Sequence, residues 1–158
     1  MAERIVVNTG PLVTLARIDC LDVVGQLPFE FLCPEAVRQE LEEGEAAGHL
    51  RIDPDWISVH PLLHPIPQMM LASLDLGESS VIQLALEQKI ALVAIDEWKG
   101  RRAALAAGLE VTGSLGLLAK AKLSGLIPAL EPLIQRALKE GVRYHPELVK
   151  TLLAAVGE

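Results

Sequence analysis

Aromatic side chains are scarce. Phe29, Phe31, Trp56, Trp98 and Tyr144 are the only ones in 158 residues, too few for a platform that stacks a single strand base by base. Cysteine is scarcer still. Cys20 and Cys33 form neither a CxxC pair nor a metal-finger spacing, which argues against a disulfide scaffold or zinc ribbon and predicts reduced core thiols in a cytosolic, cytoplasmic protein. Long apolar runs are missing: the longest, Ile90 to Ile95, has six residues, far short of a membrane span. Met1-Ala2-Glu3-Arg4 lacks a signal-peptide layout. Positive charge is outnumbered. A net charge of −7 argues against a broad basic surface for duplex DNA, yet it leaves room for a local basic rim and for carboxylates around a cation. The glycine-rich fingerprint of dinucleotide sites is absent too, since Asn8-Thr9-Gly10-Pro11 follows the first apolar run.

What the chain does contain is apolar sequence, 51% of it, in short segments that alternate in period. Arg4–Asn8, Phe29–Cys33, Ile90–Ile95 and Leu109–Thr112 read as strands, with Trp56–His60 as a short edge strand closed by Pro61. Helices are predicted between them. The first opens at Gly10-Pro11, with proline in the first helical position, and Pro34 starts another that stops at Gly44. Gly77–Gln88 carries Glu78, Val81, Ile82 and Ala85 on one stripe. Beyond Ser114 the pattern is helical throughout: Ser114–Ser124, Pro128–Glu140 and Pro146–Val156. This alternation predicts a single α/β domain over 1–158, three layers thick, with a parallel sheet of four or five strands. Ile90–Ile95, flanked by helices, is its predicted centre.

A carboxylate at the carboxyl end of such a strand stands where open α/β sheets bind ligands. Asp96 is in that place. Glu78 starts the helix leading down into the same strand, so both acids belong to one edge and are expected to meet there. Asn8 and Thr112 end their own strands at this edge, and Glu40 is a further candidate about two turns into its helix. Two carboxylates about 4 Å apart repel by roughly 4 kcal/mol at an effective dielectric of 20, so such a cluster needs a proton, a cationic side chain or a metal. Oxygen donors without His or Cys favour Mg²⁺ or Mn²⁺. Lys99, Arg101 and Arg102 follow Asp96 and suit a phosphate backbone approaching the ion. Thr112, or Ser114 just beyond it, suits a hydroxyl that orients a carboxylate.

Each residue also has a plainer reading. Asp96 suits a helix cap and Glu78 a first-turn acid facing a helix dipole. Glu40 sits among Glu42, Glu43 and Glu45 as on any solvated face, and the basic residues suit a surface helix. Glu97 adjoins Asp96 but points to the opposite face. Prolines 61 and 65 argue against a helical zinc pair of His60 and His64.

Taken in order, Ile5-Val6-Val7-Asn8-Thr9-Gly10-Pro11-Leu12, Val37-Arg38-Gln39-Glu40-Leu41, Leu76-Gly77-Glu78, Ile95-Asp96-Glu97 with Gly100-Arg101, and Val111-Thr112-Gly113 resemble PIN domains. The resemblance is greatest to the DUF3368 branch, predicted nucleic-acid-binding PIN proteins, and covers nearly the whole chain. It implies a metal-dependent ribonuclease acting on single-stranded RNA, often the toxin of a toxin–antitoxin pair and often a homodimer. Asn8, Glu40, Glu78 and Asp96 match the family's acidic positions, and Thr112 its supporting hydroxyl. Asn8 is the departure, because most PIN domains have aspartate there. An amide oxygen still ligates a hard cation but brings no charge. A catalytically degenerate module that binds RNA or protein is therefore the alternative expectation.

Overall fold

The computed structural model describes residues 2–158. Its elements in chain order are β1 (Glu3–Val7), α1 (Thr9–Arg17), α2 (Leu21–Gly25), β2 (Phe29–Pro34), α3 (Glu35–Ala46), β3 (Ile57–His60), α4 (Gln68–Ser73), α5 (Leu76–Gln88), β4 (Leu92–Ala94), α6 (Trp98–Ala106), β5 (Glu110–Thr112), α7 (Ser114–Leu123), α8 (Glu131–Lys139) and α9 (Pro146–Ala155). The five strands form one sheet in the order β3-β2-β1-β4-β5, and every pairing is parallel.

Helices cover the sheet in two groups, which makes the three-layer α/β arrangement. α3 and α5 pack together against β2 and β1; α1, α2 and α7 pack together, with α9 lying on α7. The middle of the sheet is accordingly apolar on both faces. Ile5, Val6, Val7, Val93 and Ala94 are all essentially inaccessible, as expected of parallel strands sandwiched between helices. No helix among the described residues is long and apolar enough to cross a membrane.

Several boundaries differ from the sequence expectation. β1, not the Ile90–Ile95 run, is the central strand, and β4 lies one place over. β4 is also shorter, only Leu92–Ala94, because Ile90 is still tied to the end of α5 by a 2.8 Å bond from its amide to the Ala85 carbonyl. Pro11 sits in the third helical position, since α1 begins at Thr9. Pro34 closes β2 opposite His60 instead of opening α3. Gly44 is passed over as α3 runs on to Ala46. α8 starts at Glu131, after Pro128, where its first amides find an outside acceptor in Glu158, whose carboxylate takes bonds from the Leu130 and Glu131 amides at 2.7 and 3.0 Å.

Candidate active site

The strand order reverses between β1 and β4. The chain builds from β1 outward to β3 on one side, then returns to add β4 and β5 on the other. Connections leave in opposite directions at such a reversal and open a crevice beyond the carboxyl ends of the two strands, the usual ligand position in open parallel sheets. Asn8 follows β1 directly, and Asp96 comes just after β4. Both stand at this crevice.

Asp96 is held on both oxygens by one residue. Its Oδ1 accepts from the Ser114 amide at 2.8 Å and its Oδ2 from the Ser114 hydroxyl at 2.9 Å. Ser114 opens α7, where the partial positive charge of a helix N-terminus favours an anion. The Ser114 oxygen lies 2.8 Å from the Tyr144 hydroxyl. Burial pushes the Asp96 carboxyl above its ordinary range; the two Ser114 bonds and the Arg101 charge pull it back, and Glu97 pushes it up again. Gly113 makes the arrangement possible, because a Cβ there would collide with Asp96 Oδ1. Burial also pushes the Tyr144 hydroxyl up to about 12, which leaves it a neutral phenol with a proton to donate.

Glu78 is buried, 6% exposed. It belongs to a capping box: its amide donates to Asp75 Oδ1 at 2.7 Å, and its Oε1 accepts from the Asp75 amide at 3.3 Å. Both partners satisfy amides that the first turn of α5 leaves free. Burial raises the Glu78 carboxyl, and the nearby Asp75 and Glu97 charges add to the rise. Glu40 accepts from the Thr9 hydroxyl at 2.7 Å. Burial raises it as well, against that bond, with Asp75 and Glu43 contributing. Its carboxylate lies over the first turn of α5, where a side chain on Gly77 would strike it.

Asn8 differs from these three. It is 6% exposed, and among the described residues its Oδ1 is buried without a hydrogen-bond partner. It occupies the N-cap position of α1 yet makes no side-chain cap bond. An orphaned buried acceptor costs about 1–3 kcal/mol, a cost that a cation at the sheet edge would relieve.

All four side chains therefore belong to the carboxyl edge, but their carboxylates face different partners: Glu40 faces Thr9, Glu78 faces Asp75 and Asp96 faces Ser114. The expected meeting of Glu78 with Asp96 is not a direct one, since among the described residues no hydrogen bond joins them; their common charged neighbour is Glu97. No three His, Cys, Asp or Glu among the described residues gather as a ready-made metal group. The donors nonetheless fit a hard divalent cation in kind. They are oxygens only, one is orphaned, and the three carboxylates are all desolvated.

Among the described residues Thr112 makes no hydrogen bond to Asp96. Its hydroxyl is turned against Gly116, and Ser114, at the start of α7, is the residue that reaches Asp96. Among the basic residues, Arg101 turns inward and donates to the Ile95 carbonyl at 2.8 Å. Lys99 and Arg102 are exposed on the outer side of α6, two and one positions before and after Arg101 around a helix that turns about 100° per residue. Arg102 rests 5.7 Å from the centre of the Trp98 ring.

A cleft of about 930 Å³ opens beside Asp96, lined also by Gly10, Thr14, Arg17, Arg101, Arg143, Tyr144 and His145. A second, of about 520 Å³, holds Glu40 with Thr9, Arg17, His49 and Ile52. Arg17 lines both. Arg17, Arg143 and Tyr144 were not singled out from sequence. Gly10, Thr14 and Arg17 fall at i, i+4 and i+7, one helical stripe, and that spacing was the available signal. For Tyr144 it was the lone tyrosine set between Arg143 and His145.

The family model DUF3368, described as a PIN domain, matches residues 4–158. No curated protein matches the chain. PIN domains are generally nucleases and typically use divalent metals.

Proposed function

We infer function from one premise: the chain belongs to the PIN-domain family, DUF3368. On it we propose a metal-dependent endoribonuclease that hydrolyses phosphodiester bonds of single-stranded RNA. The observation that supports this most is the buried Asn8 oxygen, unpartnered among the described residues, at the sheet reversal beside the strand that Asp96 follows. Asn8, Glu78 and Asp96 would hold Mg²⁺ or Mn²⁺, with Glu40 on the flank. Bound there, the ion supplies Lewis-acid stabilisation and a lowered pKa for an attacking water. The chain's own residues do the rest. Ser114 keeps the Asp96 carboxylate oriented. Arg101, with Arg17 and Arg143 in the same cleft, attracts the phosphate backbone. The exposed Trp98 ring offers a face for one base. The substrate class, a toxin role with an antitoxin protein as partner, and a homodimer are parts of this reading.

Asp96→Asn tests it. The variant is expected to lose at least about 100-fold in RNA cleavage, since it removes a charged ligand, while keeping the wild-type far-ultraviolet circular dichroism. In a Mn²⁺ titration the wild type should gain about 2.7 kcal/mol of stability at a hundred times its dissociation constant, and the variant should gain little. Undiminished turnover in Asp96→Asn would rule the assignment out.

A second reading rests on Asn8 standing in place of an acid and on the carboxylates being turned to separate partners. It is a degenerate PIN module that binds RNA or protein without cutting. Purified protein that retains RNA with Mn²⁺ present and never cleaves it would favour this reading.

A further inference from the structure

Tyr144 comes from the stretch between α8 and α9, far along the chain from Glu40, Glu78 and Asp96, yet its hydroxyl ends two hydrogen bonds from Asp96. The donor directions follow from the partners. Asp96 Oδ2 is a carboxylate oxygen and only accepts, so the Ser114 hydroxyl spends its one proton on it at 2.9 Å. At 2.8 Å from Tyr144, the same Ser114 oxygen must therefore accept, and Tyr144 donates. The order is Tyr144 O–H to Ser114 Oγ–H to Asp96 Oδ2, while the Ser114 amide closes on Oδ1. Ser114 is fully buried, so no solvent competes for its rotor. A serine hydroxyl with no donor behind it is free to turn toward other acceptors. With Tyr144 occupying its lone pair, the rotor points at Asp96.

We propose that Tyr144 is a positioning residue for the nuclease reaction, acting on Asp96 through Ser114, and that it couples the C-terminal helical segment to the sheet edge. The proposal rests on the nuclease reading for its kinetic part only. Tyr144 also lines the cleft that holds Arg17 and Arg143, so the segment that walls the strand's path also steadies the carboxylate at its end.

The test is a cycle of Tyr144→Phe, Ser114→Ala and the double variant. Each sample is assayed for RNA cleavage at saturating Mn²⁺, and the phenylalanine variant is also compared with wild type by the amide proton shift of Ser114. Removing a residue that orients a metal ligand lowers activity by roughly 10–100-fold. Tyr144→Phe should therefore lose about tenfold in kcat with KM unchanged, and its Ser114 amide resonance should move. Added to Ser114→Ala, it should cost nothing more, because the two act as one unit. A tyrosine that only packs would give an additive double variant and an unmoved Ser114 amide, and that pair of results overturns the proposal. If the wild type cuts no RNA at all, the nuclease reading fails. The Ser114 amide then decides alone: a shift in Tyr144→Phe retains the positioning role, and an unmoved resonance removes it.

Discussion

Asp96 carries its charge against the preference of its surroundings. Burial, with a push from Glu97, raises its carboxyl more than the Ser114 bonds and Arg101 lower it. The folded protein therefore holds the Asp96 proton to higher pH than the unfolded chain does, and stability falls as pH climbs from the ordinary carboxylate range through the raised folded value. Without added metal, Asp96→Asn, which cannot ionise, should gain on the wild type as pH climbs out of the ordinary carboxylate range. The gain is read by urea unfolding at each pH. A gap that stays constant with pH would contradict the desolvated state of this acid. Asp96 and Glu78 were legible because a strand end and a helix start mark positions along the chain. The choice of Ser114 over Thr112 was not, because it depends on which way two hydroxyls turn once β5 has passed into α7. The inward turn of Arg101 was hidden for the same reason, since sequence spacing gives the helical face and not the Ile95 carbonyl that draws it in.

Helix termini show the same division between local and distant information. The capping box of α5 is local: Asp75 and Glu78 satisfy each other's amides three residues apart, and a sequence reads it directly. The start of α8 is not. Its leading amides are satisfied by Glu158, which also receives Lys122 at 3.2 Å, so Pro128 looked like the better beginning. Those bonds hold the Glu158 carboxyl below its ordinary value. A depressed acid contributes stability above its unfolded pKa and loses it as pH falls through the folded one. Glu158→Gln should therefore lower Tm at pH 7, and the difference from wild type should close as pH drops below the carboxylate range. Thermal scans at pH 7 and pH 3 check this; an equal deficit at both would mean that the charge is irrelevant to the cap.

At the scale of the whole molecule, the alternation of periods predicted a parallel sheet, and five parallel strands are present. The identity of the central strand did not follow. Ile90–Ile95 is the longer apolar run, and Ile5-Val6-Val7 is shorter, yet the strand with the shorter run stands third of five, with two strands on each side. Run length reports burial by helices on the two faces, which both strands share. It carries no information about neighbours within the sheet. That placement of β1 bears on how the protein comes into being. The first strand of this sheet to be made acquires β2 early, but its other edge stays open until residues 92–94 have been made. Through that interval the nascent chain exposes an unpaired strand edge that carries Ile5, Val6 and Val7, the kind of surface that draws other chains. A fragment ending at Gln88 should be insoluble or bind hydrophobic dyes on expression, and a soluble fragment that unfolds cooperatively would refute this. The middle strand of the sheet is thus written before either of its neighbours and waits longest for the second of them, so the nascent chain is expected to need protection over that interval.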